Sequence, residues 1–142
     1  MVLLADVGFS INCGGPDVKT ISDQTVYTAD NEDLGNSSYF QNNEGTWGVS
    51  YTGYDDNGGG NTFYTTLVTL SDIQGTSDQE LYKTARGAAN TLRYYGKDMM
   101  NGVYHVDLHF AEIVITYDGS RQNHGNRKFD VYIQVQLIFL SY

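Results

Sequence analysis

Hydrophobic and polar positions alternate most clearly between residues 104 and 119, "YHVDLHFAEIVITYDG". Tyr104, Val106, Leu108 and Phe110 fall on one side of an extended chain, and His105, Asp107 and His109 on the other. That two-residue period marks a half-buried strand. "KFDVYIQVQLIFL" repeats it, with Phe129, Val131, Ile133, Val135 and Leu137 opposite Asp130, Tyr132, Gln134 and Gln136. The pattern predicts strands at Tyr104–Val114 and Lys128–Leu140, and shorter runs predict others at Val7–Cys13, Thr25–Ala29, Gly48–Thr52, Phe63–Val68 and Ala89–Tyr95. "SDIQGTSDQELYKTAR" (71–86) predicts a short helical turn capped by Ser77 or Asp78, and "DDNGGGN" (55–61) reads as a flexible loop. Glycine-rich punctuation between short apolar runs, with Pro16 the lone proline, points to an all-β domain, and two long alternating strands suit a β-sandwich.

A chain of 142 residues is one domain or part of one, and its 40% hydrophobic content allows a core. "LIFLSY" breaks the alternation at Ile138, Phe139 and Leu140, so the expectation is a shortened domain lacking its last strands. The division expected is a lead-in strand at 1–9, the domain proper at 10–134 and a divergent tail at 135–142.

Charge narrows the partners. With 17 acidic against 8 basic residues, a net charge of -9, the chain is ill suited to nucleic acid or to an anionic membrane surface. Cys13 is the single cysteine, so no disulfide can close within the chain. The opening "MVLLADVGFS" lacks the basic region of a signal peptide, and no apolar run is long enough to span a bilayer. "NSS" makes Asn36 a potential glycosylation acceptor, which requires a secretory route and a surface loop.

Candidate chemistry thins out on inspection. His105, Asp107 and His109 offer zinc-type ligands, but alternate residues on one strand stand roughly 6–7 Å apart, so they read as a solvated polar face. Asp55 and Asp56 lie among glycines, and neither they nor Asp30, Glu32 and Asp33 have the spacing of a calcium loop. Cys13 has no basic neighbour in sequence to lower its pKa and reads as a structural thiol. No nucleophile elbow or phosphate loop is present. No catalytic residue, metal or cofactor is therefore expected. What remains is a surface of tyrosines with Asn, Asp and Gln nearby, a composition suited to sugars, whose C–H faces lie on rings and whose hydroxyls bond polar groups.

Five stretches in series, "SINCGG", "ELYKTAR", "YYG", "VDLHFAEI" and "RKFDVYIQ", closely resemble the malectin domain of plant leucine-rich-repeat receptor-like kinases, over roughly residues 10 to 134. The resemblance implies a lectin-like β-sandwich of jelly-roll type, with Phe110 in the core and Glu112 where its strand leaves the sheet. It implies a parent with leucine-rich repeats before the domain and a membrane span and kinase after it, on the outer side of the plasma membrane. The founding animal malectin binds glucose disaccharides of N-glycans through loop aromatics. Here Val114 and Ile115 stand where one of its aromatic pairs does, Gly87 stands at another, and Trp47-Gly48 matches a Tyr-Gly pair. The expected reading is a non-catalytic recognition module for an oligosaccharide or cell-wall glycan, or for a protein or peptide partner. Its ligand-binding candidates are Trp47, Tyr51, Tyr82, Tyr95, Glu112 and Tyr117.

Overall fold

In the computed structural model, residues 8–32, 39–52, 64–88, 90–113, 128–134 and 136–140 are described. They form ten strands: β1 (Ile11–Cys13), β2 (Val18–Lys19), β3 (Val26–Asp30), β4 (Tyr39–Gln41), β5 (Trp47–Thr52), β6 (Tyr64–Val68), β7 (Thr84–Ala88), β8 (Thr91–Gly96), β9 (Asp130–Ile133) and β10 (Gln136–Leu140). A single 3₁₀ turn, Gln79–Tyr82, precedes β7. The fold is all-β, as the alternation predicts. The strands make four small sheets in the orders β1-β3-β2, β4-β5-β8, β6-β7 and β10-β9. Pairing is antiparallel apart from β1 against β3.

The sheet β4-β5-β8 organises the molecule. Trp47, Val49 and Tyr51 project from one side of β5 and are buried to 1%, 0% and 1% exposure. Phe40, Leu92 and Tyr94 from the flanking strands pack on them, with Ile11 and Ala88 from β1 and β7. Trp47 also donates its indole N–H to Thr28 Oγ1 on β3 at 3.2 Å, which ties this sheet to its neighbour. The turn between β4 and β5 is closed by Asn42, whose side chain accepts from Trp47 N at 3.0 Å and donates to Thr46 Oγ1 at 3.0 Å.

Beneath the core lies a buried polar network. Asp30, at the end of β3, accepts from Arg86 Nε at 2.6 Å and from Arg86 Nη2 at 2.5 Å, and the Tyr94 hydroxyl donates to it at 2.6 Å. Three sheets meet at one carboxylate. The "NCGG" stretch brings β1 against β7: Gly14 has φ +75, and a Cβ there would stand 2.5 Å from the Ala85 carbonyl oxygen. Only glycine supplies both that backbone conformation and that clearance. Asn12 fixes the same corner by donating to the Pro16 carbonyl at 2.8 Å and accepting from Thr84 Oγ1 at 3.2 Å.

Several expected elements differ. Residues 104–113 carry no strand, and Val106, Leu108 and Phe110 are exposed. Alternation marks a face, but a strand also needs a neighbour to pair with, and this segment has none among the described residues. Phe110 accordingly lies outside the core, tilted against Phe129 at 5.5 Å between ring centroids. The single strand expected over Lys128–Leu140 is a hairpin, β9 and β10, reversed at Gln134 with φ 57. β2, β4 and β7 were not expected; each is short, or contains the small residues Ala85, Gly87 and Ala88. The helical turn falls where predicted, but the Asp78 side chain does not cap it. Asp78 reaches instead to the backbone N–H groups of Ile21 and Ser22, at 2.5 and 3.2 Å. This carboxylate is held below its usual pKa, chiefly by its bond with the Ser22 hydroxyl.

Candidate functional site

Alternation that buries Trp47, Val49 and Tyr51 turns the other side chains of the same sheet outward. Register places Tyr39, Ser50 and Arg93 in one row across β4, β5 and β8, and Gln41, Gly48 and Tyr95 in the next. Tyr39 and Tyr95 are 45% and 39% exposed, with rings tilted at 55° and centroids 6.3 Å apart. The Tyr39 ring leans over Gly48. A Cβ at that position would stand 2.8 Å from Tyr39 Oη and 3.0 Å from the Phe40 carbonyl oxygen, so the bare backbone is what lets the ring lie down.

Polar groups rim this platform. The hydroxyls of Ser50 and Tyr95 share a hydrogen bond of 2.8 Å. That bond lowers the Tyr95 phenol pKa from its ordinary value, and the neighbouring Arg93 guanidinium acts in the same direction. Lys97 extends from the end of β8 and donates to the Gln41 side-chain carbonyl, while its backbone N–H bonds the Thr46 carbonyl at 2.8 Å. Thr52 and Thr91 continue the face with a hydroxyl pair at 2.5 Å. The result is a half-exposed aromatic floor with donors and acceptors around it.

A second cluster gathers around His109. Its Nδ1 meets the Tyr82 hydroxyl at 2.8 Å and its Nε2 meets the Tyr27 hydroxyl at 3.2 Å. Both phenol rings stand edge-on to the imidazole, Tyr27 at 5.9 Å and Tyr82 at 5.8 Å. Burial raises the Tyr27 phenol pKa, with the charge of Asp23 second. This cluster clips residues 104–113 to β3 and to the 3₁₀ turn at an exposed position, with its polar atoms engaged with one another. A groove of 320 Å³ lies between Val18–Ile21 and Ser77–Glu80, but the Asp78 carboxylate on its wall is already engaged by Ile21 and Ser22.

The expected site residues scatter. Trp47 and Tyr51 are core side chains with no face presented to a ligand, a correction to their expected place at the surface. Tyr82 is half-buried and occupied by His109. Glu112 is exposed, one residue before the buried Ile113. Tyr117 and Asn36 lie outside the described residues, as do Val114 and Ile115. Tyr95 is the candidate the structure places on an open aromatic surface. The sequence reading missed Tyr39, because only the register across β4, β5 and β8 puts it two strands from Tyr95 on the same face. His105 bonds Asp107 at 2.9 Å at the surface while His109 turns away, so the three do not converge. Among the described residues no group of three or more His, Cys, Asp or Glu is placed to hold a metal.

The described residues form an all-β unit whose central sheet presents an aromatic, polar-rimmed outer face. Comparison with known proteins makes the family plain. The malectin domain matches residues 7–142, and the chain belongs to that family. It is 39% identical over 134 residues to the Arabidopsis thaliana protein named "Probable LRR receptor-like serine/threonine-protein kinase At1g56140", covering 92% of this chain and 12% of that protein. It is 40% identical over 135 residues to the kinase of the same description, At1g07650, covering 93% and 13%. Against RFK1, also from Arabidopsis thaliana, identity is 39% over 133 residues, covering 90% and 12%. The chain thus spans about an eighth of the length of these relatives. No solved structure matches it. Among the described residues no helix is long and apolar enough to cross a membrane.

Proposed function

We propose that this malectin domain is the extracellular, non-catalytic recognition module of a plant receptor-like kinase. We propose further that the outer face of β4-β5-β8 is where it takes an oligosaccharide, such as a cell-wall glycan. The observation that supports this reading is the half-exposed Tyr39–Tyr95 pair, with Tyr39 lying over Gly48 and Ser50, Gln41 and Arg93 at its edge. An exposed aromatic ring covers one face of a pyranose while the rim bonds its hydroxyls. The relatives named as receptor-like kinases supply the receptor context.

The test is calorimetric titration of the chain with glucose disaccharides and with β-1,4-linked glucose tetramers, for the wild type and Tyr95→Ala. Saturable binding lost in Tyr95→Ala supports the reading. No binding by any sugar to a folded chain sinks it. Trp47 emission, coming from a buried indole, serves as the folding control.

A second reading, a protein or peptide interaction module in receptor assembly, is favoured by a different observation. Val103, Val106, Leu108 and Phe110 expose apolar surface in sequence along residues 103–110, and contiguous apolar exposure is a feature of protein contacts. If that reading holds, Leu108→Asp abolishes association with the rest of the receptor while Tyr95→Ala leaves it intact.

A further inference from the structure

The chain carries a net charge of -9, yet its aromatic platform is flanked by cations. Arg93 stands on β8 at the edge of the face, in the row of Tyr39 and Ser50, with its guanidinium acting on the Tyr95 hydroxyl. Lys97 reaches the same face from the end of β8 through Gln41. Glu44 in the β4–β5 turn and Asp98 just past β8 lie at the turn end of the sheet, the end that also carries Lys97. Arg93 lies in β8 two residues before Tyr95, a spacing of roughly 6–7 Å along a strand, comparable to one sugar residue.

Neutral sugars need no such cation. A guanidinium beside two exposed, tilted aromatic rings fits a sugar ring bearing a carboxylate, which it can bond through parallel N–H groups. We infer that this face selects an acidic oligosaccharide, one carrying uronate carboxylates, with the sugar ring on Tyr39 and Tyr95 and the carboxylate on Arg93, supported by Lys97. The inference rests on the proposed sugar-binding reading and names the class of sugar. The net charge of -9 opposes unspecific attraction of a polyanion to the chain as a whole.

The experiment compares one glycan in two charge states: a β-1,4-linked glucose tetramer, and the same tetramer oxidised at C6 to glucuronate. Both are titrated into the 142-residue chain at low and at high salt. The oxidised tetramer is expected to bind about fivefold more tightly at low salt, the scale of an exposed charge pair. That advantage should shrink at high salt. In Arg93→Gln the ratio of the two affinities is expected to fall towards one, and in Lys97→Met to fall partway. Equal binding of the two tetramers by the wild type overturns the inference and leaves the sugar-binding reading standing. A preference for the oxidised tetramer that survives both substitutions also overturns it. If neither tetramer binds, the sugar-binding reading fails, and the inference with it. An acidic peptide that binds where neither tetramer does overturns both as well, and assigns the face to a protein partner.

Discussion

β5 and residues 104–113 carry the same kind of message in sequence and end in opposite places. In "WGVSYT" every second residue is large and apolar, and in "YHVDLHF" likewise. β5 is flanked on both sides, by β4 and β8, and its apolar face becomes the core. Residues 104–113 pair with no strand among the described residues, and their apolar face meets solvent. They are held by side chains, through His109 between two tyrosines and Phe110 against Phe129. Period two states which residues share a face; hydrogen-bonded neighbours decide whether that face is buried.

The contrast breaks most violently at Trp47. Truncating a buried tryptophan removes its transfer free energy and leaves a cavity, about 3 to 5 kcal/mol. In a domain whose total stability is of order 5 to 15 kcal/mol that is a large share. Trp47→Ala is expected to abolish or sharply lower the cooperative urea transition, followed by circular dichroism. A variant within about 1 kcal/mol of wild type would show that β5 does not carry the core.

The polar network under the core comes next. Removing one partner of a buried ion pair leaves a charge without compensation and costs about 3 to 5 kcal/mol. Arg86→Met is expected to destabilise on that scale, and Asp30→Leu with Arg86→Met to destabilise less than either change alone. The comparison is read from urea midpoints, and a double variant worse than both single ones would refute the pair's role.

The same network sets an alkaline limit. Burial raises the Cys13 thiol pKa and the Tyr94 phenol pKa, in each case as the largest cause. A neutral group whose folded pKa lies above its unfolded value contributes stability that is complete below the unfolded pKa and is lost as pH rises through the folded one. Unfolded values are about 8.5 for cysteine and about 10 for tyrosine. Stability is therefore expected to hold to about pH 8 and to fall progressively above it. Cys13→Ser, with a hydroxyl that does not ionise in this range, should delay the onset. Melting temperatures across pH 7 to about 11 decide the matter; an onset that does not move would leave Tyr94 as the group responsible.

How much of this was legible varies with how local the signal is. The all-β class followed from glycine punctuation and alternation, and β5 was readable within a residue of its true start. The 3₁₀ turn was readable from "SDQELY", although Asp78 serves β2's end rather than the turn. Sequence could not say that residues 104–113 go unpaired, because pairing is a property of two distant segments. It could not place Trp47 inside and Tyr39 outside, since both are aromatics at strand ends and only the register between β4 and β5 separates them. Arg86 and Asp30 are 56 positions apart, and nothing local announces their bond.

The smallest effects test the other half of the contrast. His109→Ala removes two hydrogen bonds at an exposed site, where each is worth on the order of 1 kcal/mol or less. Global stability should fall by about 1 kcal/mol, while proteolysis within residues 104–113 should accelerate more than that figure suggests, because the change frees one segment rather than the whole fold. His109→Phe keeps the edge-on ring contacts and discards the hydrogen bonds, so it separates the two contributions. Leu108→Ser goes further in the same direction: half of its side chain already meets water at 48% exposure, so the change is expected to stay within about 0.5 kcal/mol. The equivalent apolar position on β5, Val49, has no such latitude at 0% exposure. If Leu108→Ser instead costs as much as a core truncation, the segment is paired in solution, and the unpaired strand is the feature of this comparison that gives way.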